Sequence, residues 1–363
     1  HYQVSIMSLK IPGIGPVREK SLNDAGYKTI DDIRKANFFD ILHLPKFGYV
    51  TTCNLFNSLG KEIIYQNMIE IFDTESENIL IENKIIKPWA EFKKITEVHA
   101  QPDDFKTERT TIWSFPNRGD WASHTPQYRG NWSPRVVRNI IELYSKPGDT
   151  VLDPMVGGGT TPVECLLLGR NSISSDINRG AISITKDRLN LPNSMIEGIK
   201  STQHRTFVGD IRNLNLISDS SVDLIATHPP YANIIKYAPT VDGDLSQIND
   251  YSIFFKEFEK AIGELYRVLK PGGYCAILIG DTHNKSHYVP ISYRIMIDFL
   301  RAGFLLKEDI IKKEWNCESD RYLAKYAGAN FLLTMHEHLY IFRKSESGTT
   351  SYQNSSIKFF NRL

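Results

Sequence analysis

The sequence is poor in cysteine, in charge of one sign and in long apolar runs. Its 363 residues hold 4 cysteines, and Cys53, Cys165, Cys275 and Cys317 stand far apart with no Cys-x-x-Cys pair. That spacing argues against a disulfide framework and a thiolate metal cluster; it predicts reduced, mostly structural thiols in a cytoplasmic protein with no metal site. No apolar run approaches the ~20 residues needed to span a bilayer, and the opening residues lack a signal-peptide pattern, so no membrane association is expected. The chain opens on His1, and Met7 is expected as the native start. A formal net charge of +1 excludes a globally basic nucleic-acid binder, so any basic surface must be local. What remains is ordinary: 41% hydrophobic and 23% charged residues, in a chain long enough for one large and one small domain.

No long period repeats along the chain, but residues 1–62 hold a degenerate pair. Ile11-Pro-Gly-Ile-Gly-Pro leads into a helical stretch to Ala25-Gly26-Tyr27, and Leu44-Pro-Lys-Phe-Gly-Tyr leads into another ending near Leu59. Gly13, Gly15 and Gly48 permit tight turns that leave helix N-terminal amides free for a phosphate oxygen. The pair resembles the tandem helix-hairpin-helix module of DNA-repair and recombination proteins, which implies a grip on the DNA backbone without sequence readout. A small helical bundle for protein contacts fits the same residues. Residues 63–104 read as a connector. From 105 to 344, short apolar strands alternate with amphipathic helices, which predicts an α/β fold with a Rossmann-like parallel sheet. Candidate strands are Thr150–Leu152, Asn171–Ser175, Arg205–Val208, Val222–Thr227, Tyr274–Ile279 and His338–Phe342. Residues 345–363, rich in Ser, Thr, Asn and Gln, are expected as a flexible tail.

Lys146-Pro-Gly-Asp-Thr-Val-Leu-Asp-Pro-Met-Val-Gly-Gly-Gly-Thr-Thr carries the strongest signal. A strand ends at Asp153, a glycine turn follows, and a helix begins near Thr160, so backbone can approach a ligand at a helix N-terminus. Asp176, about 20 residues past such a loop, is placed for ribose hydroxyls, and Asp210 could hold an adenine amino group. The spacing also fits a dinucleotide fold, but the loop is not G-x-G-x-x-G, and Gly-Lys-Ser/Thr is absent. Leu-Asp-Pro-x-x-Gly-Gly-Gly-Thr-Thr is similar to the S-adenosylmethionine loop of amino-methyltransferases acting on DNA, and the upstream Trp132-Ser-Pro-Arg-Val-Val-Arg resembles that family too. The resemblance implies S-adenosyl-L-methionine as cofactor. Its holders would be Asp153, Pro154, Gly157, Gly159, Thr160, Asp176 and Asp210, with Trp132, Ser133 and Pro134 over the methionine part.

Strand 222–227 runs into His228-Pro229-Pro230-Tyr231, where the family usually has Asp, Asn or Ser before Pro-Pro-aromatic. An aromatic amine is a poor nucleophile because its lone pair is delocalised into the ring. Acceptors on its two N–H groups favour a pyramidal, attacking nitrogen. Pro229 offers a fixed carbonyl, residue 228 a second acceptor, and Tyr231 a surface for a base swung out of the helix. A neutral imidazole can accept one such bond, so the role survives at His228, but only when uncharged. Asp at this position marks adenine more often, so cytosine N4 is preferred over adenine N6. Leu265-Tyr-Arg-Val-Leu-Lys-Pro-Gly-Gly-Tyr-Cys-Ala-Ile-Leu-Ile matches a helix, turn and strand common across such methyltransferases.

No gap between the two motifs admits a target-recognition domain. Target selection is therefore expected from the 281–295 loop, from Asn316, Ser319 and Arg321, and from the N-terminal module. Between Phe105 and Asn139, six Lys/Arg, Arg129 among them, face two acids, with Trp113, Phe115, Trp121 and Trp132 interleaved. That mixture suits phosphate contact and base stacking, and equally a solvated face over core aromatics. The whole predicts a DNA amino-methyltransferase of a restriction-modification system, with double-stranded DNA and a cognate restriction endonuclease as partners. A methyltransferase for tRNA or rRNA bases and a non-catalytic nucleic-acid binder with the same fold are the alternatives.

Overall fold

The computed structural model describes residues 11–346 apart from 12–13, 37, 43, 62–64, 73–78, 82–83, 96–97, 231–242, 249, 285 and 316–330. The chain divides into two compact units between Gln66 and Asn67. The smaller unit holds four short helices: α1 (Pro16–Asp24), α2 (Ile30–Lys35), α3 (Phe38–Leu42) and α4 (Tyr49–Ser58). Leu22, Ile33, Phe38, Ile41, Leu55 and Phe56 form its core. Its two halves echo each other. The Ile14 amide donates to the Ile11 carbonyl at 3.1 Å and that of Phe47 to Leu44 at 2.9 Å. Gly15 then caps α1, and Gly48 caps α4.

The larger unit is built on one nine-stranded sheet. Its strands are β1 (Ile69–Glu70), β4 (Ile112–Trp113), β5 (Thr150–Asp153), β6 (Asn171–Asp176), β7 (His204–Val208), β8 (Val222–Thr227), β9 (Leu269–Ile279), β12 (Leu305–Lys313) and β13 (His336–Arg343). Two small hairpins stand apart: β2 (Ile79–Ile81) with β3 (Lys84–Ile86), and β10 (Thr282–Asn284) with β11 (His287–Val289). The helices are α5 (Trp89–Phe92), α6 (Pro134–Tyr144), α7 (Thr160–Leu167), α8 (Arg179–Leu189), α9 (Asn193–Ile196), α10 (Tyr251–Val268) and α11 (Ile291–Arg301).

Sheet order is β1-β7-β6-β5-β8-β9-β13-β12-β4. Strands β5 to β9 run parallel, and β13 returns antiparallel between β9 and β12. The Rossmann-like α/β sheet expected from the sequence is therefore present, as a mixed sheet. All six candidate strands are strands. β5 lies between β6 and β8, so the connections leave it in opposite directions, and a crevice opens at the strands' carboxyl ends there. Val136, Val137, Ile140 and Ile141 of α6 bury one sheet face against Val151, Leu224, Ala276, Leu278, Leu339 and Ile341. The spacing of those four residues along the helix makes the stripe that a sheet can cover.

Three expectations change. Lys270-Pro-Gly-Gly, read as a turn, lies inside β9, where a register shift opposite Val222/Leu224 absorbs it. The stretch expected as a connector contributes to the larger unit: β1 pairs with β7, and β2 pairs with β3. The 281–295 loop holds the β10–β11 hairpin and the start of α11.

Candidate active site

Four parallel strands release the chain at one edge of the sheet, and each delivers a candidate residue there. Asp153 ends β5, Asp176 ends β6, Asp210 follows β7 and His228 follows β8. A cleft opens at this edge of the sheet. Pro154, Gly157, Asp176 and Asp210 share it with Trp132, His228 and Pro230. Asp153, Ser133, Pro134, Gly159 and Thr160 stand behind this lining. Tyr231 lies outside the described residues.

The loop after β5 is shaped from within. The Gly157 amide donates to Asp176 Oδ2 at 3.0 Å, and Asn178 donates to Oδ1 at 2.9 Å. Burial raises the Asp176 carboxyl to about 7 against those two amides, and the nearby Asp244 and Asp153 carboxylates add to the rise. Asp153 turns inward. It accepts Thr161 Oγ1 at 2.5 Å and Thr227 Oγ1 at 3.0 Å, and burial raises it to about 6. It therefore ties β5, β8 and α7 together rather than facing the cleft. Gly159 has φ +78°, the left-handed region that favours glycine, and an added Cβ would sit 2.9 Å from the Thr185 Cα. Thr160 Oγ1 pairs with the Asn131 side chain. Ser133 accepts the Arg135 amide as N-cap of α6, whose first residue is Pro134.

Asp210 is buried and gripped by Arg212, with Nε to Oδ1 at 2.8 Å and Nη2 to Oδ2 at 2.6 Å. Arg212 Nη1 also reaches Glu257 Oε2 at 2.8 Å. The lining fits a nucleoside with an amino-acid tail. Asp176 offers a carboxylate to hydroxyls, and Val156, Ile177, Ile211 and Leu245 offer apolar walls to a flat ring. The glycine loop gives close backbone approach. Behind it, two buried guanidiniums hold carbonyls: Arg188 holds Gly158, and Arg118 holds Asn131 at 2.6 Å and Trp132 at 2.9 Å. Burial pulls Arg188 down to about 9 and Arg118 down to about 10.

On the other side of the cleft, His228 stacks on Trp132, with centroids 5.9 Å apart and 30° between the rings. Its Nε2 lies 3.6 Å from Glu337 Oε1.

The sequence model of the DNA methylase family matches residues 30–187 and 222–361. The chain belongs to this family. A second model, an RMKL-like methyltransferase domain, matches 143–264. The Type II methyltransferase M.MthZI of Methanothermobacter thermautotrophicus is 29% identical over 164 residues, which are 39% of this chain and 45% of that protein. M.SmaI of Serratia marcescens, also a Type II methyltransferase, is 31% identical over 114 residues, 31% of this chain and 37% of that one. The chain spans about half the length of the first of these relatives. A crystal structure of a SAM-dependent methyltransferase from Methanosarcina mazei aligns over 57% of this chain and 97% of that one, at 16% identity and a TM-score of 0.38. S-adenosyl-L-methionine, expected from the loop, is the cofactor that goes with the family's chemistry.

Within this DNA methylase fold, the basic and aromatic stretch before the cofactor loop divides: Lys106, Arg109 and Arg129 are exposed, and much of the rest is interior. Trp113, Trp121 and Trp132 are buried, as are Arg135 and Arg138. Glu164, fully buried, accepts Trp121 Nε1 at 2.7 Å and Arg138 Nη1 at 2.9 Å, and pairs with His124 at 2.6 Å. These residues form a wall rather than a nucleic-acid face; a count of charges and rings cannot tell the two apart. Arg129 is exposed. At Gly15 and Gly48, φ is −85° and −150°, and an added Cβ would meet nothing within 4 Å, so these helix N-termini are open. Gly13, Asn316, Ser319 and Arg321 lie outside the described residues. No helix among the described residues is long and apolar enough to cross a membrane.

Sequence reasoning counted Arg118 only within the basic stretch and missed Arg212, Asp244, Arg188, Lys312 and Glu337. Only Arg212 left a signal, two residues beyond the acid it grips. The others come from distant segments.

Proposed function

We propose that this chain moves a methyl group from S-adenosyl-L-methionine to the exocyclic amino group of a flipped base in double-stranded DNA, cytosine N4 in preference to adenine N6. The observation that carries the reading is one cleft lined by Gly157, Asp176, His228 and Pro230, which supports a nucleoside holder and an amine acceptor on the same ligand. When bound, the cofactor supplies a methyl on a sulfonium. Asp176 accepts the ribose hydroxyls, the Gly157–Gly159 turn lets backbone meet the amino-acid part, and Trp132 covers it. Asp210, committed to Arg212, presents a fixed carboxylate edge near the base of the cofactor. Asp153 and Thr160 act from behind by holding the loop.

At the amine, His228 and the Pro229 carbonyl accept the two N–H groups, and Tyr231 stacks on the flipped base. Positioning and acceptor geometry carry the catalysis, with no covalent enzyme intermediate. Asn at 228 would accept with no dependence on protonation; His couples the same task to pH. Gly13, Gly15 and Gly48 are assigned to phosphate contact in a helix-hairpin-helix module, and the open helix N-termini support this. Arg129, Asn316, Ser319 and Arg321 are assigned to DNA. The Type II names of the relatives support a restriction-modification setting with a cognate endonuclease.

The test is incubation with methyl-labelled cofactor and, separately, duplex DNA and total RNA, followed by digestion to nucleosides and mass analysis. Label in N4-methylcytosine is expected. N6-methyladenine would reverse the base preference, label only in RNA would overturn the substrate, and no label in either would overturn the enzyme.

A further inference from the structure

The antiparallel return of β13 has a chemical result. Because β13 runs against β8 and β9, its first residues lie at the edge where β8 ends, and Glu337 comes to stand beside His228. Glu337 is buried, with its side chain 10% exposed beside a His228 side chain 14% exposed. The register of β12 on β13 sets Lys312 opposite Glu337, and Lys312 Nζ reaches Glu337 Oε2 at 2.7 Å and Glu314 Oε1 at 2.8 Å. Burial pushes the Glu337 carboxyl up, but the Lys312 ammonium and His228 outweigh that and hold it well below the usual carboxylate range. Glu314 is raised by its own burial and by Glu337. The charge beside the imidazole is therefore the carboxylate of Glu337.

Among the described residues, the Trp132 ring is stacked on His228 and the Asp153 carboxyl is close enough to feel its charge. Asp153 is already committed to Thr161 and Thr227. A separation of 3.6 Å between Nε2 and Oε1 is ion-pair range. Catalytic hydrogen bonds are often long in free proteins and tighten with substrate. A carboxylate at Nε2 fixes the tautomer, with the proton on Nε2 and the lone pair on Nδ1.

We propose that Glu337 is a positioning residue that orients His228, so that the imidazole takes the proton the exocyclic amine loses on methylation. This rests on the reading of the chain as an amino-methyltransferase. In the step, the amine nitrogen forms a bond to the methyl carbon, the carbon–sulfur bond breaks with its electron pair left on sulfur, and the amine proton moves to His228 Nδ1. The imidazolium so formed faces Glu337 and returns its proton to solvent. An Asp, Asn or Ser at 228 has no need of such a partner; a histidine does, because a free imidazole can offer either nitrogen.

The test uses the full chain with Glu337→Gln, His228→Asn and the double substitution. Imidazole nitrogen NMR, without cofactor or DNA and assigned by the His228→Asn difference, reads the tautomer directly. The proton is expected on Nε2, with a mixture in Glu337→Gln; an unchanged tautomer would overturn the proposal. In methyl transfer, Glu337→Gln should lower kcat about tenfold at unchanged KM for DNA and cofactor. The acid-side fall in kcat should be absent from His228→Asn, and there Glu337→Gln should cost nothing further. An equal loss in both backgrounds would make Glu337 merely structural. If the unsubstituted chain transfers no methyl, the functional reading fails, and the tautomer still decides the role of Glu337.

Discussion

The two sides of the cleft are built differently. On the cofactor side, neutral donors hold the acids: both amides on Asp176 come from Gly157 and Asn178, and Asp153 accepts the hydroxyls of Thr161 and of Thr227 on the neighbouring strand. Among the described residues, no salt bridge reaches Asp153 or Asp176, and burial raises both carboxyls, whereas Asp210 is gripped by Arg212. On the transfer side, His228 sits beside a charge cluster assembled from β12, β13 and the residue just past β12. One side waits for donors; the other already has its counter-charge. The difference teaches that neutral donors can shape one wall of a cleft, whereas the charge beside His228 is assembled from strands far apart in sequence.

The sharpest way to break the cofactor side alone is Gly159→Val. With φ +78° and Thr185 backbone 2.9 Å from a new Cβ, the loop must move. Cofactor affinity measured by calorimetry should fall more than about 100-fold, and stability by about 2–4 kcal/mol. Affinity like the parent's would show that the turn does not hold the ligand.

Asp176 gives a smaller and more diagnostic effect. Its folded carboxyl is raised to about 7, so the free protein holds the proton below that pH, while hydroxyl donors favour the ionised form. Binding therefore expels a proton, and affinity should rise with pH up to about 7 and level off above it. Linkage also makes the raised carboxyl a source of stability that is present at acid pH and lost as pH rises through about 7. Calorimetry in two buffers of different ionisation enthalpy checks the proton release. Asp176→Asn should weaken binding roughly tenfold or more and flatten its pH dependence; a slope that persists would assign it to another group.

This contrast also explains what the sequence disclosed. Asp153, the glycines, Asp176 and His228 were legible because strand, turn and acid follow one another, and the apolar alternation around them located the six strands. β12 was not: Leu305-Leu-Lys-Glu-Asp-Ile-Ile-Lys-Lys carries charges along most of its length, and only Ile310 of the nine is buried. Glu337 is one acid among 42, and nothing local distinguishes it. The stretch from 105 to 139 was open to two readings by composition, and the structure divides it: Arg135 and Arg138 are buried with their own acceptors, Asp104 and Glu164, while Lys106, Arg109 and Arg129 are exposed. Burial decides between a binding face and a wall, and it is a tertiary property.

The smallest expected effect lies in the N-terminal unit, outside the comparison and useful as its control. Gly15→Ala with Gly48→Ala adds two methyl groups into open space at ordinary φ, so stability should change by under about 1 kcal/mol per site. DNA affinity should drop severalfold in a binding titration, with cofactor affinity untouched. Unchanged DNA affinity would remove this unit from the DNA interface.

The most direct test of a cleft divided between binding and transfer is His228→Ala, with cofactor affinity and methyl transfer to duplex DNA measured on the same preparation. The account predicts cofactor affinity within about twofold of the parent and transfer reduced by about 100-fold or more, the scale of losing one preorganised group. Loss of both together would contradict it, since His228 would then belong to the cofactor side; transfer at the parent's rate would leave the amine without the acceptor assigned to it.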